Sequence, residues 1–456
     1  MIKIEKIKLN NFRFFIDDEE HNSFKLEQKS MLLYGENGSG KSSLFKAFEL
    51  LAKPTISEDE FIKNINIFKR DDTYLEFEFS NAESLRIDSD HLSLENQYPF
   101  IEKLSISKPI IDYKSLLSIT YSKEQEKEKN LYNFFEKILS QYPIGEDMIL
   151  KDLKEAEDSN YFSKFEYILK HELFDDINIF LTQFNQNFNL TEINFNFGFN
   201  KVNLEIEYFD EKVLEYHIFL NEARLSALAI SIYFSIIKAQ FRLSGENSLK
   251  ILVLDDLLIS LDMSNRLTLI DILKSEFSDF QIFLFTHDKS FFEVLKEKMS
   301  WKNYEMYVDN SEGFEKPHIK KSLSYFESAK KYFDEYDYPA CANYLRKEVE
   351  RLKKIKEKQE QSLHSENEIL KKLKKMLIEF DLTDDSKSGQ IKSKLIGFKK
   401  GLERDSSVEI DLKDIRSITD RILNPQSHDD TSQPLYKKEL EEAIAVVKKV
   451  RDAIGL

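Results

Sequence analysis

The sequence contains a single cysteine, Cys341, among its 456 residues. One cysteine excludes a disulfide framework and any zinc site built from several cysteines. The first residues, Met-Ile-Lys-Ile-Glu, lack the features of a signal peptide, and no apolar run reaches 18 residues. We therefore expect a soluble cytoplasmic protein without a membrane partner.

An excess of positive charge is also missing. The 66 lysine and arginine residues face 82 aspartate and glutamate residues, which gives a formal net charge of −16. This balance argues against a general nucleic-acid coat, but it leaves room for a local basic groove, because affinity follows local rather than net charge. The length allows two or three domains with their own cores.

Hydrophobic periodicity divides the chain into two parts. Alternation with a period of two predicts half-buried antiparallel strands at residues 2–9, 73–80, 193–199, 202–208 and 213–219. Helical patterns replace the strands between about 120 and 190, and again beyond about 320. We therefore predict an α/β head over residues 1–320 with a helical insertion at about 120–190, followed by a helical domain over residues 321–456.

A phosphate-binding loop is the clearest motif. The run Gly35-Glu-Asn-Gly-Ser-Gly-Lys-Ser-Ser43 follows an apolar strand and precedes a helical segment. Glycines let successive backbone N–H groups turn toward phosphates, while Lys41 adds a positive charge and Ser42 offers a hydroxyl to Mg²⁺. A glycine-rich turn without a ligand is the alternative, but the spacing and the flanks favour a nucleoside triphosphate. The predicted contacts are Asn37, Gly38, Ser39, Gly40, Lys41, Ser42 and Ser43.

Two acids and a histidine follow later strands. The apolar run 251–254 ends in Asp255 and Asp256, and the run 281–285 is followed by His287. In phosphate-loop ATPases the first acid serves the Mg²⁺ ion and the second orients or deprotonates the attacking water. His287 is interpreted as a sensor of the γ-phosphate, with a polar cap of its strand as the alternative.

In this order, the motifs resemble those of the ATP-binding-cassette ATPases, in the branch that contains SMC, RecF and double-strand-break-repair ATPases. Arg13, in Asn-Phe-Arg, is similar to the phosphate-proximal arginine of that branch, Ser260-Leu-Asp262 to its D-loop, and Asn221-Glu-Ala-Arg-Leu-Ser226 to its signature motif. The resemblance implies a head with a mixed sheet, flanking helices and an antiparallel lobe. It also implies two heads that sandwich two ATP molecules, with Asn221 of one head facing the nucleotide of the other.

Three positions depart from the pattern of this branch. Asn221 stands where a serine is usual, and Ala223 where a glycine is usual. Asp256 replaces the usual glutamate and is one methylene shorter, which would set the water further away. The segment 109–114 occupies the place of the Gln-loop, the element that couples the two lobes, without a glutamine.

The region after residue 320 differs in charge from the rest of the chain, with 28 basic and 26 acidic residues over 321–456. Arg346 and Glu350 lie four apart on one helical face. Arg421 and His428 match the loose Arg-x6-His pattern of HEPN ribonucleases, and the order of the four residues is similar to that in anticodon nucleases. A metal-free ribonuclease is one interpretation. An ion pair and a helix-capping histidine in a docking domain are the other.

Taken together, these motifs predict an SMC-like ATPase that uses ATP and Mg²⁺, forms a head-to-head dimer and controls a nuclease partner in bacterial anti-phage defence. A RecF-like repair ATPase that binds DNA is the alternative, and an ATPase fused to its own ribonuclease that acts on RNA is another. A GTPase is not expected, because no Asn-Lys-x-Asp sequence is present.

Overall fold

A computed structural model describes residues 2–16, 22–94, 97–101, 104, 109–120, 129–145, 148–242, 248–257, 261–355 and 437–454. The chain divides into two compact units, Met1–Ser322 and Leu323–Leu456. The described strands all lie in the first unit: β1 (Ile4–Asn10), β2 (Ser23–Lys25), β3 (Met31–Gly35), β4 (Tyr74–Phe79), β5 (Ser84–Ile87), β6 (Ile110–Asp112), β7 (Phe188–Asn196), β8 (Lys201–Tyr208), β9 (Glu211–Val213), β10 (Ile251–Asp255), β11 (Gln281–Thr286), β12 (Lys302–Asp309) and β13 (Lys316–Lys321).

Helices surround these strands and form the described part of the second unit. Those of the first unit are α1 (Lys41–Leu51), α2 (Glu58–Ile62), α3 (Tyr113–Thr120), α4 (Tyr132–Leu139), α5 (Leu150–Glu155), α6 (Asn160–Tyr167), α7 (Phe174–Gln183), α8 (Tyr216–Phe219), α9 (Glu222–Arg242), α10 (Met263–Glu276) and α11 (Lys289–Lys298), with a π-helical turn at Ile168–Leu173 and a 3₁₀ turn at Phe197–Phe199. The second unit has α12 (Tyr325–Asp334), α13 (residues 338–355) and α14 (Lys437–Ile454).

The largest sheet has six strands in the order β13-β12-β3-β11-β10-β6. All neighbouring pairs are parallel except β12 and β13, which form an antiparallel hairpin. The central strands β3 and β11 are buried along their whole length, because helices cover both faces of a parallel sheet. This mixed, largely parallel sheet confirms the predicted α/β class.

Two antiparallel sheets complete the first unit. One has the order β2-β1-β4-β5 and forms the predicted antiparallel lobe, and the other has the order β7-β8-β9. Gln281, at the start of β11, is fully buried and joins the first of these to the parallel sheet. Its side chain accepts a hydrogen bond from the N–H of Ile4 and donates to the carbonyl oxygens of Ile4 and Lys29, at 2.8–2.9 Å.

Helices α4 to α7 occupy the predicted insertion, and the long helix α9 packs beside α7. Helix α9 is apolar on almost every side, which is typical of a helix buried in a core. Its buried Ser231 and Ser235 donate hydrogen bonds to the carbonyl oxygens four residues earlier. Phe180 of α7 and Phe234 of α9 meet edge to face, with ring centroids 5.7 Å apart. This aromatic contact joins the insertion to the core of the head.

The sequence prediction was wrong in two segments of the first unit. The strand predicted at 193–199 ends at Asn196, and Phe197–Phe199 form a 3₁₀ turn. Residues 213–219 alternate in polarity, but only Glu211–Val213 form a strand, and Tyr216–Phe219 form a helical turn. The turn buries Tyr216 and leaves Ile218 and Phe219 exposed. Burial of one large ring therefore decides the local conformation against the alternating pattern.

The second unit has its own core, formed by Phe326, Ala329, Cys341, Ala342, Leu345, Val349, Leu352, Leu440, Ala443, Val447 and Val450. Glu348 is fully buried beside this core. Its carboxylate accepts hydrogen bonds from Arg351 at 2.8 and 2.9 Å and from Arg451 at 2.7 Å. Two arginines thus neutralise the buried charge and join α13 to α14.

The buried carboxylate of Glu305 in β12 is expected to stabilise the edge of the parallel sheet, and this contribution can be tested. Burial alone would raise its pKa, but hydrogen bonds from Ser322, Tyr307 and Lys289 outweigh burial and lower the pKa to about 2. The stabilisation is complete above the unfolded pKa of about 4.5 and is lost as the pH falls toward 2. We expect Glu305→Gln to lower the free energy of unfolding by about 2 kcal/mol at pH 7.

The measurement is denaturant unfolding of both proteins between pH 7 and pH 3, where the difference should shrink. Glu312→Gln is the control, because Glu312 is 56% exposed and pairs with Lys316 in the same hairpin. A difference that is the same at every pH would contradict the assignment.

Candidate functional site

The motifs predicted from the sequence meet at one edge of the parallel sheet. Strand β3 ends at Gly35, β10 ends at Asp255, and β11 is followed by His287. The register pairs Asp255 with Phe285 and Phe285 with Leu33, so the three strands end at almost the same level. Ligands of open α/β sheets bind outside the carboxyl ends of the strands, and this is the edge at which the motifs lie.

The phosphate loop has the backbone conformation that its glycines allow. Gly38 and Gly40 have φ angles of 84° and 106°, in a region that residues with a Cβ rarely adopt. Gly40 directly precedes α1, so the N-terminus of this helix points into the loop. The buried Lys41 ammonium donates to the carbonyl oxygens of Gly35 at 2.7 Å and Glu36 at 3.3 Å. Its pKa is lowered by burial, against the attraction of Asp256 and Asp255.

A cavity of about 840 Å³ opens at this loop. Its volume lies in the range of small-molecule sites. The predicted residues that line it are Arg13, Asn37, Gly38, Gly40, Lys41, Ser42, Ser43 and Asp256. Ser39 lies beneath the loop, where its buried hydroxyl has no hydrogen-bond partner among the described residues.

Arg13 reaches the cavity from a left-handed turn with a φ of 52°. Two buried asparagines, which the sequence reasoning missed, hold this turn. The Asn64 side chain accepts from the Arg13 guanidinium at 3.0 Å, and the Asn66 side chain donates to the Arg13 carbonyl oxygen at 2.5 Å. An Asn-x-Asn pair after a short helix is too common to have indicated this role.

The second acid and the histidine form a pair. The Asp256 carboxylate lies 2.9 Å from the Nδ1 atom of His287 and accepts from the His287 backbone N–H at 3.1 Å. Asp256 itself has a φ of 51°, a conformation that aspartate and asparagine tolerate better than most residues. Because both bonds go to one carboxylate oxygen, the position of Asp256 fixes the imidazole.

The first acid has the properties expected of a cation ligand. Burial and the neighbouring charge of Asp256 raise the pKa of Asp255 to about 7. One carboxylate oxygen of Asp255 is buried without a hydrogen-bond partner among the described residues. A hard cation bound by Asp255 would supply that partner, and the Ser42 hydroxyl is a further oxygen ligand of the kind that Mg²⁺ takes, so these residues fit Mg²⁺. In the described part of the chain no three acidic, histidine or cysteine side chains form a metal cluster by themselves.

A further ion pair, also missed from the sequence, lies beside His287. Arg266 at the start of α10 donates to the Asp288 carboxylate at 2.6 Å and to the carbonyl oxygen of Leu261 at 2.8 Å. Asp288 also caps α11 by accepting from the N–H of Phe291. The predicted D-loop is thereby joined to the residue after His287, although its Ser260 lies outside the described residues.

Other predicted residues lie apart from this cavity. Asn221 is exposed, caps the first turn of α9 by accepting from the N–H of Arg224 at 3.0 Å, and is not among the described residues that line the cavity. Arg346 and Glu350 form an ion pair of 3.0 Å in the second unit, with Glu350 55% exposed. Arg421 and His428 lie outside the described residues, so the predicted ribonuclease set stays a prediction.

Residues 6–186 match the family described as an AAA domain. This match covers less than half of the chain and ends before Asp255, Asp256 and His287. A comparison with curated protein sequences gave no match.

Several solved structures of SMC heads are similar to the chain. An SMC head bound to the C-winged helix domain of ScpA is 12% identical, with a TM-score of 0.43, over 70% of this chain and 98% of that one. The Pyrococcus furiosus Smc head with an extended coiled coil, bound to the C-terminal domain of ScpA, is 13% identical, with a TM-score of 0.37, over 74% and 100%. The Thermotoga maritima SMC head is 12% identical, with a TM-score of 0.35, over 70% of this chain and 99% of that one.

No described helix is long and apolar enough to cross a membrane.

The glycines of the loop give a direct test of its geometry. A Cβ atom added at Gly40 would lie 2.8 Å from the Phe14 ring, whereas one added at Gly38 would meet nothing within 4 Å. Both substitutions by alanine carry the backbone cost of a left-handed residue, about 1–2 kcal/mol. We expect Gly40→Ala to lose about 1–3 kcal/mol more than Gly38→Ala, because overpacking adds to that cost. Denaturant unfolding of the two variants measures the difference, and equal losses would contradict the contact with Phe14.

Proposed function

We propose that the first unit binds ATP with Mg²⁺ and hydrolyses it. The observation that carries this proposal is the meeting of a phosphate loop with Asp255, Asp256 and His287 at the carboxyl ends of three neighbouring parallel strands. Each of these groups matches a task that phosphoryl transfer to water requires: a phosphate cradle, a cation ligand, a base and a donor to the γ-phosphate.

The loop supplies the charge for the phosphates. Backbone N–H groups around Gly38 and Gly40, the N-terminus of α1 and the Lys41 ammonium converge on the cavity. Lys41 lines the cavity, where its ammonium is placed to contact the phosphates. Arg13, held by Asn64, also lines the cavity and adds a second positive group.

The chemical step uses Asp256 and His287. Asp256 lines the cavity and accepts hydrogen bonds, so its carboxylate can orient a water molecule and take its proton. His287 bonds Asp256 through Nδ1, so Nε2 can donate to a phosphate oxygen when the imidazole carries both protons. When bound to Ser42 and Asp255, Mg²⁺ would neutralise charge on the phosphates.

The proposed unit of action is a dimer of heads. Asn221 stands exposed at the N-terminus of the long helix α9, outside the cavity of its own head. A helix N-terminus favours anions, so α9 of one copy is suited to contact the γ-phosphate held by another. Hydrolysis would remove that contact and let the heads separate.

The second unit is proposed to dock an effector nuclease in bacterial anti-phage defence. It has a core of its own, and its Arg346 and Glu350 are bonded to each other on the surface. A RecF-like repair ATPase is the alternative, and ATP hydrolysis stimulated by double-stranded DNA without an associated nuclease would favour it.

Substitutions at the loop and at the base separate binding from hydrolysis. We expect Lys41→Ala to abolish ATP binding, because each charge-assisted hydrogen bond lost costs about 1.5–3 kcal/mol.

Asp256→Asn should bind ATP normally, hydrolyse it about 10²–10⁴-fold more slowly and accumulate a dimer, because an amide cannot take a proton from water. Calorimetry, a phosphate-release assay and light scattering measure the three quantities.

The matched control is Asp279→Asn, because Asp279 pairs with Lys250 at the opposite end of the same sheet. It should leave all three quantities unchanged. Unchanged affinity for ATP in Lys41→Ala would refute the phosphate-loop assignment. Monomeric heads in Asp256→Asn with ATP would refute the dimer.

The docking assignment predicts the behaviour of a histidine variant. If the second unit docks a nuclease, His428→Ala should leave RNA damage unchanged when the chain and its neighbouring genes are expressed together during phage challenge. Lys41→Ala should reduce the damage in the same cells, because in this proposal the nuclease is controlled by nucleotide binding. Gel analysis of tRNA integrity measures both, and loss of damage in His428→Ala alone would assign ribonuclease activity to this unit.

A further inference from the structure

The second unit carries a stripe of basic side chains that the proposed ATPase chemistry does not use. Helix α13 places Tyr344, Lys347, Arg351 and Lys354 at spacings of three and four residues, so these side chains share one face of the helix. Lys347 and Lys354 are exposed. The whole chain has a net charge of −16, so a stripe with three basic residues and no acid is a local departure from an acidic chain.

The acids of α13 neutralise this stripe only in part. Buried Glu348 accepts hydrogen bonds from both Arg351 and Arg451, so the three side chains together keep one positive charge. Glu350 lies beside the stripe and pairs with Arg346 at 3.0 Å, so that pair adds no net charge. The stripe therefore attracts anionic groups.

Three tyrosine rings adjoin the stripe. Tyr325 and Tyr332 of α12 lie beside Tyr344, with ring centroids 6.4 Å and 5.3 Å from that of Tyr344. The Lys347 ammonium lies over the rings of Tyr325 and Tyr344, at 6.0 Å and 4.9 Å from their centroids. Tyr325 is 41% exposed, whereas Tyr332 and Tyr344 pack partly against the core of the unit. The tyrosine–lysine face is the name used below for Tyr325, Tyr332, Tyr344, Lys347, Arg351 and Lys354.

The arrangement of these rings favours a protein partner over a nucleic acid. Tyr332 and Tyr344 stack on each other, with 13° between their planes. Lys347 lies over the Tyr344 ring, and Lys331, which pairs with Glu335, lies over the Tyr332 ring. A base stacks on an open ring face, but these faces already contact another ring or an ammonium group. The hydroxyls at the ring edges can donate to carboxylates, and tyrosine is enriched at protein interfaces.

We propose that the tyrosine–lysine face binds an acidic segment of a partner protein, with its ammonium groups and tyrosine hydroxyls donating to carboxylates. The inference rests on the proposed docking role of the second unit and adds the surface and the chemistry of the partner. Complementary charge steers such a segment to the face. The tyrosine rings supply contact area, which exposed ion pairs alone do not provide.

Fluorescence anisotropy with a labelled decaglutamate peptide tests this face in the full-length chain at low ionic strength. We expect Lys347→Glu to weaken binding about tenfold, because it removes an attraction and adds a repulsion. Tyr325→Phe should weaken binding about threefold, because the hydroxyl is lost while the ring stays. Both side chains are exposed, so neither substitution disturbs the core.

The matched control is Lys151→Glu, because Lys151 is 49% exposed and pairs with Glu155 in α5 of the first unit. It changes the net charge by the same amount and should leave the affinity for decaglutamate unchanged. Lys41→Ala controls for binding at the phosphate loop and should also leave that affinity unchanged. Decauridylate carries a similar charge but gains affinity from base stacking, so it should bind more weakly than the peptide.

Other results would overturn the proposal. Absence of peptide binding by the wild type would do so, as would an equal loss in Lys347→Glu and Lys151→Glu. Tighter binding of decauridylate that is lost in Lys347→Glu would assign the face to a nucleic acid instead. Failure of the proposed function looks different, because RNA damage during phage challenge would then be equal in wild type and Lys41→Ala while the peptide still bound.

Discussion

The common level at which three parallel strands end is the constraint on which the site depends. Strand β11 pairs with β3 on one side and β10 on the other, and this register places Gly35, Asp255 and Thr286 at one edge. Side chains of a strand alternate between faces, so a slip of one residue would move Asp255 to the other face of the sheet. The apolar stretches that bury these strands therefore also determine the chemistry at their ends, although they contribute no functional group themselves.

Buried amides transmit this order to the parts of the molecule that lie outside the parallel sheet. Gln281 joins the antiparallel lobe to β11, and Asn66 joins the Arg13 turn to the segment with Phe68. A buried polar group costs free energy unless it is bonded, so each amide favours only the arrangement in which its bonds form. Such residues lower the stability of the fold somewhat, but they define the positions of the segments to which they bond. The loops at the cavity have defined positions for this reason rather than through packing alone.

Much of this arrangement could be predicted from the sequence, because local patterns encode it. The loop from Gly35 to Ser43, the acids after β10 and the histidine after β11 all follow strongly apolar runs, and parallel strands bring such ends together. The hairpin of β12 and β13 was not foreseen, because Glu305 and His318 interrupt any simple alternation. The roles of Asn64, Asn66 and Arg266 depend on contacts between residues 22 to 53 positions apart in the chain, which no local pattern records. Assignments in the second unit remain predictions where they involve Arg421 and His428.

The left-handed backbone of Asp256 restricts how this site can change by mutation. A φ of 51° admits glycine, asparagine and aspartate at least cost, and of these only aspartate carries a carboxylate. A longer acid would have to bear a conformational penalty that the shorter one avoids, so the backbone accounts for the shorter side chain without reference to catalytic rate. Asparagine, the amide counterpart of aspartate, tolerates the same φ angle, so Asp256→Asn needs no rearrangement of the backbone. A protein with this fold can therefore change from a form that hydrolyses its ligand to a form that only binds it. The change replaces one carboxylate oxygen of residue 256 with an amide nitrogen.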